Sequence, residues 1–192
     1  MTLLLLGLIL FLGVHCTRIV ADPWRAAMLA RLGEGGWKGA YSLLSAAGLT
    51  LIVIGYGQAR LAPVDLWMPP LWTRHAAAAL TLPALVLLVA AYVPGNSIKA
   101  RLGHPMVLGT KVWALAHLLA NGRLSDVLLF GGFLLWSVLA FRSARARDRA
   151  AGLVRPAGRT VPTGIAVVVG VVAWAMLGMF LHLPLFGVRP FS

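Results

Sequence analysis

The sequence predicts an all-α fold: a polytopic membrane bundle of about six transmembrane helices, with a short interfacial helix after the first. Three observations carry this prediction. Hydrophobic residues make up 60% of the 192-residue chain and charged residues only 11%, with a mean hydropathy of +0.87; a soluble domain carries about a quarter charged residues. The apolar residues fall into blocks of about twenty, the length a helix needs to cross roughly 30 Å of hydrocarbon. The 17 Lys and Arg residues, set against 5 Asp and Glu for a net charge of +12, lie mostly between those blocks. There the positive-inside bias and attraction to anionic lipid headgroups account for the charge, and nucleic-acid binding is not needed to explain it. Residues 1–192 read as one integral membrane domain.

Thr2–Val20 is the first predicted span. It lacks a basic leader and a small-residue cleavage site, so it reads as a retained helix rather than a signal peptide. His15 lies in its second half and Arg18 one turn further on, where a guanidinium can snorkel to the headgroups. Asp22-Pro23 then reads as a cap with proline at the first helical position. Residues 23–32 place Trp24, Met28 and Leu32 on one side, the pattern of an amphipathic helix lying in the interface. Gly33, Gly35 and Gly36 are expected to end it.

The second span is predicted at 40–59, with Ser42, Ser45, Gly48, Gly55 and Gly57 allowing close approach of a neighbour. Residues 60–74 are a proline-containing loop with Trp67 and Trp72 as interfacial anchors. The third span, 75–93, is interrupted by Pro83, which predicts a kink. Pro94-Gly95-Asn96 is a turn. The fourth span runs from about His104 to Asn121, and Asn121-Gly122 is a helix stop. So short a turn predicts an antiparallel hairpin with the fifth span, 124–141. Residues 142–160 form the most basic loop, with six arginines, and the last helix occupies 161–183.

This order places thirteen basic residues on one side of the membrane and four on the other. The first side is therefore expected in the cytoplasm, with both termini on the opposite face of a bacterial inner membrane.

A single cysteine, Cys16, excludes an intrachain disulfide and any cysteine-based cluster. No carboxylate pair, nucleotide motif or Ser–His–Asp set is available. The remaining chemistry lies in five histidines: His15, His75, His104, His117 and His182. His75 and His182 fall at the outer interface. His104-Pro105 sits where the fourth span begins. Only His15 and His117 lie well inside spans, where an ionisable residue is costly and marks function. Two readings are open for them. Neutral imidazoles on facing helices hold a flat b-type haem; a lone intramembrane histidine also serves as an interhelical hydrogen-bond donor.

Five stretches, FLGVHCTR, RLGEGGWKGAYSL, AAYVPGN, GHPMVLGTKVWALAHLLANG and DVLLFGGFLLWSV, resemble in that order the NnrU family of bacterial membrane proteins, over about the first 141 residues. That family is in turn similar to the plastid zeta-carotene isomerase, a membrane enzyme with a histidine-held b haem that converts a cis double bond of a carotene to trans without net redox change. The resemblance implies haem b ligated by His15 and His117, with another histidine of the family's motif falling on His104. Arg18, one turn from His15, is placed to pair with a propionate, and His104 and Arg18 would then be supporting groups at the cytoplasmic rim. It implies a cis–trans isomerase acting on an apolar, carotenoid-like polyene. The competing implication is a non-enzymatic accessory or sensor protein of nitrite and nitric oxide respiration (denitrification).

Overall fold

The computed structural model describes residues 1–190. It is an all-α membrane bundle, and among the described residues it has no β-strand, only two isolated bridges. In chain order the helices are α1 (Thr2–Val20), α2 (Asp22–Leu61), α3 (Trp72–Tyr92), α4 (Ser97–Leu102), α5 (Pro105–Ala120), α6 (Leu124–Ala150), α7 (Thr160–Met176) and, after a π-helical turn at Leu177–Leu181, α8 (His182–Phe186). Five continuous helical segments are long and apolar enough to cross a membrane, with Thr160–Phe186 counted as one, and Pro105–Ala120 is a shorter apolar helix.

Three boundaries differ from the sequence reading, each for a physical reason. The interfacial segment is not a separate helix. It is the first arm of the 40-residue α2, and only Gly33, at φ 69 and ψ 172, leaves helical geometry. Without a Cβ, Gly33 reaches positive φ at little cost and redirects the chain, while Gly35 and Gly36 simply continue the helix. Trp24 and Trp37 meet edge-on across this bend, 6.1 Å apart. At the other end, α6 runs on through Ala150. Alanine and arginine are strong helix formers, so the first half of the basic loop is a helical extension beyond the apolar stretch. The last predicted helix is likewise broken by the π turn.

The long helices pack in the spatial order α2–α1–α6–α5–α3–α7. α1 lies against α2 and α6, α6 against α5, α5 against α3, and α3 against α7. α1 and α5, which carry the two intramembrane histidines, share no direct backbone contact and flank α6 instead. The core between them holds Leu4, Leu8, Ile52, Leu129 and Phe130, with Phe11, Tyr56, Trp113 and Phe133 packed against it.

The loop 62–71 is pinned to the α5–α6 turn. Leu66 N–H donates to the Gly122 carbonyl at 2.8 Å, and Leu124 N–H to the Val64 carbonyl at 2.9 Å. A Cβ on Gly122 would lie 2.0 Å from the Trp67 carbonyl oxygen, so glycine here serves this close approach as well as the helix stop. On the basic side Asn96, 1% exposed, caps α4: its Oδ1 accepts from Lys99 N–H, and its amide donates to the carbonyls of Ala90 and Val93.

Candidate functional site

His15 and His117 are held in the same way. His15 Nδ1 lies 2.7 Å from the Phe11 carbonyl, and His117 Nδ1 lies 2.8 Å from the Trp113 carbonyl, each one turn back on its own helix. A carbonyl oxygen only accepts, so Nδ1 carries the hydrogen in both rings. In the neutral imidazole this leaves the lone pair on Nε2. Among the described residues neither Nε2 has a hydrogen-bond partner. Each ring is also stacked: His15 on Phe11 at 4.2 Å between centroids, His117 on Phe130 at 4.7 Å. Both side chains are half-buried.

The two rings do not lie opposite one another. His15 packs against Trp136 and His117 against Phe130, and those two residues of α6 are about 9 Å apart along the helix axis at its ordinary rise. An aromatic relay joins them: Phe11 meets Phe133 at 5.7 Å, and Phe133 meets Trp113 at 5.7 Å. α6 thus presents Phe130, Phe133 and Trp136, three residues apart in turn, as a stripe between the two histidines.

A cavity of about 480 Å³ opens at the basic end of the bundle, within the size range of small-ligand sites. Its wall includes His15, Arg18 and Ile19 from α1, Tyr41 from α2, His104 and Val107 at the start of α5, and Trp136, Ala140, Ala144, Arg147 and Asp148 from α6. Of the residues singled out in the sequence, His15, Arg18 and His104 come together here. His117 lies outside this cavity, on the far side of the aromatic stripe. His75 is exposed at the other end of the bundle, and His182 Nδ1 donates to the Val188 carbonyl at 2.9 Å.

Sequence reasoning missed the partner of His104. Its Nε2 lies 2.8 Å from Asp148 Oδ2, and Arg155 donates to the same oxygen at 2.6 Å. Asp148 sits on the extension of α6 beyond the apolar stretch, where hydrogen bonds from Arg155 and then His104 hold its carboxyl below the usual carboxylate range. Arg155 also lies over Gly103: a Cβ there would be 2.9 Å from the guanidinium carbon, and Gly103 has φ +81. His104 is therefore fixed at the rim by the last turns of α6, through Asp148, with Arg155 of the following segment holding that carboxylate. Trp136 Nε1 is buried without a hydrogen-bond partner, at an expected cost of about 1–3 kcal/mol.

As a donor set for iron, the residues fit in kind, while the aromatic stripe and a rise of about 9 Å stand between the two rings. Each intramembrane histidine has its Nδ1–H engaged by a second group, the arrangement that orients metal-binding imidazoles, and no cluster of three or more metal-ligating side chains competes for a metal among the described residues. The family model described as NnrU protein matches residues 3–190, so the match extends past residue 141 through the last helix. No curated protein and no solved structure matches the chain.

Proposed function

The chain belongs to the NnrU family, and from that premise we propose that this multi-pass membrane protein is a b-type haem protein whose candidate iron ligands are His15 and His117, each presenting an unpartnered Nε2 from its own side of the aromatic stripe on α6. The observation that carries the reading is the repeated tie of Nδ1 to the carbonyl one turn back, at 2.7 Å and 2.8 Å, in two apolar helices that flank α6. Arg18, at the cavity wall, would meet a propionate carboxylate, a pairing suited to a guanidinium. His104, tied to Asp148, would support the same rim. The activity we attach to this centre is cis–trans isomerisation of an apolar polyene. When bound, the haem would supply a metal able to polarise a double bond and lower its rotation barrier. The chain's own part is to tie the imidazoles in one tautomer, to surround them with Phe11, Phe130, Phe133 and Trp113, and to keep water from the reacting bond. The thirteen basic residues on the cavity side would face the cytoplasm and anionic headgroups, leaving both termini on the other face of an inner membrane.

The test is an absorption spectrum of the full chain in detergent after supply of haem, oxidised and reduced. A six-coordinate b-type spectrum is expected for the wild type, and its loss in both His15→Ala and His117→Ala. A wild-type protein that stays colourless while remaining monodisperse overturns the reading. A spectrum that survives His117→Ala unchanged removes that residue from the ligand set.

A further inference from the structure

The cavity contains more positive charge than its own carboxylate can neutralise. Two arginines line it, and among the described residues neither Arg18 nor Arg147 has a carboxylate within ion-pair distance; Asp22, whose charge is felt by both, is already paired with Arg25 at 2.7 Å. Arg147 donates only to neutral oxygens, the Ser143 hydroxyl at 2.6 Å and the Arg18 carbonyl at 3.3 Å. The one acid in the wall, Asp148, already accepts from Arg155 and His104. The Tyr41 hydroxyl adds a neutral donor that has no partner among the described residues. Opposite these groups the wall is apolar, with Ile19, Val107, Ala140 and Ala144.

Guanidiniums prefer oxyanions, and bind carboxylate and phosphate through paired N–H groups. An apolar wall beside them favours a ligand with a tail. Basic pockets between membrane helices on the basic side are suited to acidic headgroups. We propose that this cavity binds the oxyanion end of an amphiphile, with Arg18 and Arg147 as its charge partners and Tyr41 as a further donor. The shared chemistry is a carboxylate or phosphate on an apolar body. It has two sources, the propionates of a porphyrin and the headgroup of an anionic phospholipid. The inference stands on the cavity and does not require that His15 and His117 bind iron.

Four probes separate the sources on the full chain in neutral detergent: haemin, haemin dimethyl ester, phosphatidylglycerol and phosphatidylcholine. Binding is read by native mass spectrometry and by quenching of tryptophan emission. At least one acidic probe is expected to bind about tenfold or more tightly than its neutral counterpart, as two guanidiniums near the interface allow. That preference should fall to near unity in Arg18→Gln/Arg147→Gln and persist in Arg142→Gln, an exposed arginine outside the cavity. If the double variant does not stay monodisperse, the two single variants are each expected to lose a part of it. A preference confined to haemin over its ester assigns the site to propionates. One confined to phosphatidylglycerol assigns it to an anionic headgroup, whose phosphate has no cation of its own as it does in phosphatidylcholine. No preference in either pair, or a preference that survives loss of both arginines, overturns the proposal. Because the esterified porphyrin keeps its iron, failure here leaves the histidine spectrum as an independent test.

Discussion

Gly55→Val is expected to lower stability by about 3 kcal/mol, the upper end of overpacking costs, because the added carbon has nowhere to go. A Cβ on Gly55 would lie 2.2 Å from the Leu4 nitrogen and 2.6 Å from the Leu3 carbonyl carbon. These are backbone atoms of α1, which cannot rotate away as a side chain can. α1 and α2 would have to separate, opening the cluster of Leu4, Leu8 and Ile52 that their contact closes. Gly57 provides the control. It lies two residues further along the same helix with nothing within 4 Å of its Cβ position. Valine there changes helix propensity by a similar amount and touches no neighbour. Thermal unfolding in detergent, read as loss of the monodisperse peak, should therefore separate Gly55→Val clearly from Gly57→Val. Equal melting of the two variants would mean that α1 and α2 do not meet at this point.

That comparison also marks where the sequence is informative. Hydropathy located the apolar helices, because a twenty-residue apolar run has few other uses. The small residues of the second span were legible as a group, but their roles were not. Gly48 faces Phe11 and Gly55 faces Leu4, whereas Gly57 faces open space. Which side of α2 meets α1 depends on the bend at Gly33 and on Gly7, whose Cβ position lies 2.6 Å from the Ile52 nitrogen. A single glycine in one helix does not announce its partner in another. The same limit applies to the site. His15 and His117 stood out because imidazole is rare at that depth. The Asp148 partner of His104 did not, since 44 residues separate them and no periodic pattern links a turn before α5 to the far end of α6. Nothing in the sequence set Tyr41 and Trp136 apart, and only the fold places them beside His15 at the cavity wall.

The largest expected polar effect lies at the opposite end of α6. Asp126, 3% exposed, accepts from the Tyr56 hydroxyl at 2.6 Å and from the Arg123 N–H at 3.2 Å. It therefore joins α2 to α6 and caps the helix at once. Two magnitudes compete in predicting Asp126→Ala. Hydrogen bonds to charged groups in soluble proteins are worth about 1.5–3 kcal/mol. Interhelical bonds in a membrane protein average about 0.6 kcal/mol, because the unfolded chain in the bilayer also finds partners. Here the soluble figure should prevail. The substitution removes the cap, and it leaves the Tyr56 hydroxyl without its acceptor in a site with almost no water access. We expect Asp126→Ala to cost about 2–3 kcal/mol and Tyr56→Phe about 1 kcal/mol, with Asp126→Asn between them because its amide oxygen still accepts. Pairing the two substitutions isolates the contact, and a coupling of about 1 kcal/mol is expected. The effect should reach His117 as well. Phe130, one turn beyond Asp126, stacks on that ring at 4.7 Å, so a loosened start of α6 should weaken whatever the His117 imidazole holds. If Asp126→Ala unfolds no more readily than Tyr56→Phe, the carboxyl contributes nothing beyond the tyrosine contact, and the registration of α2 against α6 must rest on the apolar cluster around Leu129 and Phe130.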